Sequence, residues 1–162
     1  TGEVLGLSRS YGYAFFKAQE ATKTPLPVEG TVLITVADKD KKEAIQTATL
    51  FKELGFTILT TKGTGKYLKE NGIPTQSIEK LGFGRPDIVD ALKNKEIDVV
   101  INTPSGKESK IDDSYIRKTA IKYNIPYITT IAASIAAATG IEAKRRNKVD
   151  IRSLQEYHQD IK

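Results

Sequence analysis

Two short polar segments, each directly after a run of apolar β-formers, hold the residue types that chemistry needs. The first is Thr60-Thr61-Lys62-Gly63-Thr64-Gly65, following Phe56–Leu59, and the second is Asn102-Thr103-Pro104-Ser105-Gly106-Lys107, following Asp98–Ile101. Hydroxyls, glycines and a lysine at the carboxyl end of a buried strand suit a phosphate group. Glycine lets backbone N–H groups approach it, and the N-terminus of a following helix adds a favourable dipole. Two such segments on strands of one sheet face the same crevice, where open α/β sheets bind ligands. Each segment alone is equally well read as a plain turn, with Thr61 as a helix cap and residues 102–106 all turn formers. Together they favour a phosphorylated small molecule held by Thr61, Gly63, Thr64, Asn102, Thr103 and Ser105. Arg85 either clamps a phosphate or pairs with Asp87 or Asp90 at the start of its helix; the structural role is favoured.

The chain as a whole narrows the classes. At 162 residues it is long enough for one domain with a well-buried core. It has no cysteine and one histidine, His158, far in sequence from both polar segments. A disulfide framework, a thiolate or histidine metal site and a Ser-His-Asp triad are therefore disfavoured, and a cytoplasmic protein is expected. No apolar run reaches the ~18 residues that a membrane span needs. The net charge of +5 comes from lysines interspersed with acids, as in Lys39-Asp40-Lys41-Lys42-Glu43. Stacking aromatics do not alternate with these lysines, so a solvated helix face is a better reading than nucleic-acid binding. Lys107, Lys110, Arg117 and Lys118 either add positive field near the site or are plain surface. The chain contains no methionine and opens on Thr1-Gly2-Glu3-Val4, which suggests a piece of a larger protein.

Strand and helix signals alternate from Gly30 onward. Val32–Val36 is a β-branched run suited to a strand buried on both faces. Asp38 or Asp40 starts a helix carrying Ala44, Ala48, Phe51 and Leu54, which Gly55 ends. Phe56–Leu59 is the second strand, followed by a helix through Leu68 and a short strand near Thr75–Ile78. Pro86 suits the first turn of a helix carrying Ile88, Ala91 and Leu92. After the strand Asp98–Ile101, Asp112 or Asp113 caps a helix through Ile116 and Ala120. Tyr127–Thr130 is the last strand, and Ile131–Ala143 an alanine-rich helix followed by the basic cluster Lys144-Arg145-Arg146. Ser153 and Glu156 match a capping box. Before all this, Ser8 or Ser10 caps a helix through Tyr13, Phe16 and Ala21, and residues 22–27 read as a linker. The stripe of Tyr11, Phe15 and Phe16 suggests packing on a domain absent from this chain. Strands alternating with helices imply a doubly wound parallel α/β sheet with right-handed crossovers.

In this order and spacing, Thr61-Lys62-Gly63-Thr64, Gly84-Arg85-Pro86, Ile101-Asn102-Thr103 with Ser105-Gly106, and Tyr127 with Thr129-Thr130 carry a resemblance. The chain resembles the C-terminal allosteric domain of carbamoyl-phosphate synthetase large subunits, which has the methylglyoxal-synthase-like, Rossmann-like three-layer fold. The match runs from Thr1 to His158. It implies that residues 1–28 are the end of the preceding ATP-grasp half and its linker, and that 29–162 form the regulatory domain. In that family the domain binds nucleotide effectors, UMP as inhibitor and in some members IMP as activator, and relays feedback to ATP-dependent carbamoyl phosphate synthesis from bicarbonate and glutamine-derived ammonia.

The resemblance places phosphate and ribose contacts at Lys41, Thr61, Thr64, Lys80, Asn102 and Thr103. Of these, Lys41 and Lys80 rest on it alone. It also suggests a second effector pocket around Tyr127 and Thr129. Ile128 stands where ornithine-responsive members have an aspartate, which argues against ornithine, and Pro104 replaces a further threonine. The implied partners are the rest of the large chain and a glutaminase small subunit. The implied cofactors, ATP with Mg2+ or Mn2+ and K+, belong to the parent chain; none is expected in this fragment.

The alternative is a catalytic methylglyoxal synthase acting on dihydroxyacetone phosphate, which needs a carboxylate base beside the substrate. By alignment through Val89 and Ala91-Leu92, Pro86 takes the base position and Asp87 falls one residue later, with no histidine nearby. The fragment is therefore expected to bind without catalysing.

Overall fold

A computed structural model of the chain describes residues 3–104, 107–146, 151–159 and 161, with backbone alone for 107–111. Strands β1 (Thr31–Val36), β2 (Thr57–Thr60), β3 (Gln76–Ser77), β4 (Val99–Thr103) and β5 (Tyr127–Ile128) form one parallel sheet in the order β3-β2-β1-β4-β5. β1 is central because it can be buried on both faces. Val32 and Ile34 point to one apolar layer and Leu33 to the other, and Leu33 pairs with Leu59 on one side and Val100 on the other. That alternation is the period of two inherent to a strand.

The helices are α1 (Tyr11–Glu20), α2 (Lys41–Glu53), α3 (Lys62–Glu70), α4 (Ile88–Lys93), α5 (Lys107–Lys122), α6 (Ile131–Arg146) and α7 (Leu154–Gln159). One layer collects Ala48 and Phe51 of α2, Leu68 of α3, Ala137 and Ile141 of α6, and Tyr13 and Phe16 of α1. The opposite layer holds Ile88 and Leu92 of α4 with Ile116 and Ala120 of α5. Phe51 and Phe56 meet edge to face, ring centroids 5.1 Å apart. Chain direction across the sheet reverses between β1 and β4, whose following helices lie on opposite faces. The carboxyl ends of these two strands therefore splay into a crevice.

Several elements depart from the expectations in instructive ways. The stripe Tyr11-Phe15-Phe16 is divided: Phe16 is buried against α6, Phe15 packs at the core's margin and Tyr11 is 76% exposed. α1 lies close on α6 because both are small at the crossing. A Cβ on Gly140 would stand 2.4 Å from the Gly12 carbonyl oxygen. The cluster Lys144-Arg145-Arg146 is not beyond α6 but forms its last turn, where cations favour the helix dipole. There Lys144 pairs with Glu20 at 2.8 Å, and Arg145 donates to the Leu54 and Val28 carbonyls.

Pro86 is not in the first turn of α4. Asp87 is the cap, accepting from the Val89 and Asp90 N–H groups, while Asp90 accepts from the Asp87 N–H. α5 begins at Lys107, several residues before the expected caps, so Asp112 and Asp113 lie inside it. The capping box of Ser153 and Glu156 at α7 forms as expected. Among the described residues no helix is long and apolar enough to cross a membrane.

Candidate phosphate and nucleotide site

The crevice at the carboxyl ends of β1, β2 and β4 is a hollow of about 410 Å³, within the range of small-molecule sites. Its lining includes Lys41, Thr61, Gly63, Thr64, Lys80, Asn102 and Thr103. Seven residues singled out in the sequence thus meet in one place, drawn from α2, α3, β4 and the chain after β3. The eighth, Ser105, lies outside the described residues, as do Gly106 and the side chains of Lys107 and Lys110.

The first segment is a helix start rather than a loop. α3 begins at Lys62, and its first helical bond is from the Gly65 N–H to the Thr61 carbonyl at 2.8 Å. The N–H groups of Lys62, Gly63 and Thr64 consequently have no partner within the helix. The space above Gly63 is open: an added Cβ would meet nothing nearer than Lys41 Nζ at 3.7 Å. Gly65 serves packing instead, since a Cβ there would stand 2.4 Å from Thr60 Oγ1. It is the glycine that lets α3 sit down on the end of β2.

The threonines are held by the end of β1. Thr64 Oγ1 accepts from the Val36 N–H at 3.2 Å, and Thr103 Oγ1 accepts from the Ala37 N–H at 3.1 Å. Each hydroxyl spends a lone pair on the backbone and keeps its proton available for a ligand oxygen. Thr61 Oγ1 lies 3.2 Å from Thr35 Oγ1. Thr61 does not cap α3 with its side chain.

Asn102 and Thr103 are the last two residues of β4 rather than part of a loop, and both are buried. Alternation along the strand turns Asn102 toward α5. There its amide donates to Asp113 at 3.0 Å and to the Tyr127 hydroxyl at 2.5 Å. Asp113 also pairs with Arg117 one turn along α5.

Charge at the hollow is mainly positive. Lys39, Lys41 and Lys80 stand against Asp38, the one carboxylate among the lining residues. The Lys41 ammonium lies 2.7 Å from Asp38. Its hydrogen bond and charge, with a smaller pull from Lys80, hold the Asp38 carboxyl below the usual carboxylate range. Arg85 points elsewhere, to Asp90 at 3.0 Å, and Asp87 is consumed by its capping role. Among the described residues no group of three or more His, Asp or Glu could hold a metal ion.

The structure does not bring Tyr127 and Thr129 together. Tyr127 faces the α5 side, whereas Thr129 is exposed and lines a neighbouring hollow with Asp40, Glu43 and Thr130. Ile128, between them, is buried in the layer shared with α2 and α6, so its apolar side chain answers to packing.

Sequence reasoning missed Thr35, the Val36–Ala37 backbone and Asp38. The available signal was the polar Thr35 at the carboxyl end of the first strand, the same pattern that flagged the other two strands. Asp113, with Asp112 a candidate cap by residue type, stands three before Ile116 and four before Arg117, a spacing that fits a helix interior.

Residues 43–129 match the family model described as MGS-like domain. Over 161 residues the chain is 44% identical to a carbamoyl phosphate synthase large chain of Archaeoglobus fulgidus, covering 99% of this chain and 15% of that protein. Over 159 residues it is 44% identical to the C-terminal section of such a large chain from Methanopyrus kandleri, covering 98% of this chain and 29% of that one. The corresponding section from Aquifex aeolicus is 42% identical over 163 residues, with 98% of this chain and 30% of that one covered. The chain thus spans between about a seventh and a third of the length of these relatives. A crystal structure of methylglyoxal synthase from Elizabethkingia anophelis superposes with a TM-score of 0.55 over 70% of this chain and 80% of that one. At 21% identity that likeness concerns the fold.

Proposed function

The chain belongs to the MGS-like domain family, and on that premise we propose that it is the effector-binding domain of a carbamoyl phosphate synthase large chain. It binds a nucleoside monophosphate, UMP or IMP, and relays feedback to the ATP-dependent synthetase halves. The observation that supports this reading is the convergence of Lys41, Thr61, Gly63, Thr64, Lys80, Asn102 and Thr103 on one hollow at the strand switch point. In it the phosphate sits at the start of α3, between the free first-turn N–H groups, the Thr61 and Thr64 hydroxyls and Lys41. The ribose and base extend toward Asn102, Thr103 and Lys80.

Relay requires that the effector bind two conformations of the whole subunit with different affinity, a coupling of about 1–3 kcal/mol in typical cases. The rest of the large chain is the partner that receives it. A glutaminase small subunit, and ATP with Mg2+ or Mn2+ and K+ in the synthetase halves, complete the assembly in a cytoplasmic enzyme of pyrimidine and arginine biosynthesis. The domain itself does not catalyse. Abstracting a proton from dihydroxyacetone phosphate calls for a carboxylate that holds a proton well, whereas Asp38 is kept ionised by Lys41 and Asp87 is bound into its helix cap.

The test is calorimetric titration of this chain with UMP, IMP and dihydroxyacetone phosphate, with an assay for methylglyoxal. Salt-sensitive nucleotide binding without methylglyoxal supports the reading. Binding of dihydroxyacetone phosphate alone, with turnover, refutes it.

A further inference from the structure

A closed polar network stands behind Asn102. The Asn102 amide nitrogen donates into a pair of oxygens, Asp113 Oδ1 at 3.0 Å and the Tyr127 hydroxyl at 2.5 Å. The network closes on itself, because the Tyr127 hydroxyl donates to the same Asp113 oxygen at 2.5 Å while Arg117 takes the other. A carboxylate held by a guanidinium accepts and does not donate, so the Asn102 amide must turn its NH2 toward it. The carbonyl Oδ1 is left over. Among the described residues nothing donates to it, and the one buried side-chain oxygen or nitrogen without a partner is Thr75 Oγ1. Asn102 itself lines the hollow.

We infer that Asp113 and Tyr127 are positioning residues that lock the Asn102 amide with its carbonyl toward the hollow, so that the site selects a phosphorylated ligand carrying a hydroxyl donor on the sugar. The inference rests on the effector-site reading above and adds its selection rule. Its geometry is set by the sheet. The start of α3 follows β2, and Asn102 ends β4, two strand spacings or about 10 Å away. A ribose lies across that gap when its 5′-phosphate is at α3, with its 2′- and 3′-hydroxyls as the donors within reach. Burial, and then the hydrogen bond to Asp113, push the Tyr127 phenol well above its ordinary range, so it remains a donor at neutral pH. Inorganic phosphate and ligands without sugar hydroxyls gain nothing from this arrangement.

The test compares UMP, 2′,3′-dideoxy-UMP and inorganic phosphate on the wild-type chain and on Tyr127→Phe, with Asp113→Asn as a second variant. Melting curves and phosphate affinity report whether each variant is folded. The wild type should prefer UMP over the dideoxy analogue by about fivefold, the size of one neutral hydrogen bond. Asp113→Asn should narrow that ratio to about twofold while leaving phosphate affinity unchanged, because an amide facing another amide can turn either end to the ligand, and Tyr127→Phe, which keeps the carboxylate, should narrow it less. If the wild type binds UMP and both variants keep the full ratio, the positioning role is overturned and the site reading stands. If the wild type binds neither nucleotide nor phosphate, the site reading falls, and this inference with it.

Discussion

Thr64→Val is the substitution that separates the two duties of a single hydroxyl. Valine keeps the branched shape and fills the same space, and Thr64 is only 3% exposed, so the change removes one oxygen and little else. The folded chain loses the acceptor for the Val36 N–H, which now bonds at 3.2 Å. A neutral hydrogen bond of that kind is worth about 1 kcal/mol net, which lowers the melting temperature of a domain this size by about 2–4 °C. The ligand loses a donor to a charged oxygen, worth about 1.5–3 kcal/mol. Since each 1.4 kcal/mol is about a factor of ten, UMP should bind about 10–150 times more weakly. Because the hydroxyl faces the phosphate, inorganic phosphate should weaken in the same proportion, unlike in Asp113→Asn. The assay is paired: thermal melts without ligand, then calorimetric titrations of UMP and phosphate at one salt concentration. If the melting point falls and both affinities stay within about twofold, the hydroxyl only ties α3 to β1, and the phosphate has been placed wrongly.

Three other outcomes follow from the same geometry. Gly65→Ala should destabilise the chain by about 1–3 kcal/mol through overpacking, because the new methyl group would stand 2.4 Å from Thr60 Oγ1; chemical denaturation measures it. Asp87→Ala should cost about 0.5–2 kcal/mol by removing the α4 cap, yet leave UMP affinity unchanged, which titration checks; weakened binding would place Asp87 in the site. Tyr127 has its proton affinity raised by folding, from an ordinary value of 10.0. Its contribution is therefore complete below pH 10.0 and lost as pH climbs above it, since the unfolded phenol ionises first. Tyr127→Phe should flatten this alkaline loss of stability in melts taken across that range.

Much of the fold is legible in local pattern. The β-branched run Val32–Val36 and the helical spacing of Ala44, Ala48 and Phe51 each carry their own periodicity, so their types need no knowledge of the rest. Boundaries are less legible where a neighbour extends an element. β4 continues through Asn102 and Thr103 because β1 offers it partners at Thr35 and Val36. α5 continues back past Asp112 and Asp113, although both are residues that favour caps. Their side-chain types look alike in sequence, yet Asp113 is buried and bonded to Asn102, Tyr127 and Arg117, which no local pattern records. Lys144 and Arg145 likewise found their partners in Glu20 and the carbonyls of Val28 and Leu54, far away in the chain.

By itself the sequence determined the residue types of the site and the strands that carry them, because a phosphate cradle needs glycine, hydroxyls and positive charge directly after a buried strand. Only the tertiary structure decided which of those residues meet. The strand order set Thr64 and Asn102 on opposite sides of β1, the crossing of α2 brought Lys41 over Gly63, and the pairing of β5 with β4 turned Tyr127 away from Thr129 and onto Asn102. Spacing along a chain encodes local geometry, whereas the distance between distant residues is fixed by how the sheet is ordered and packed.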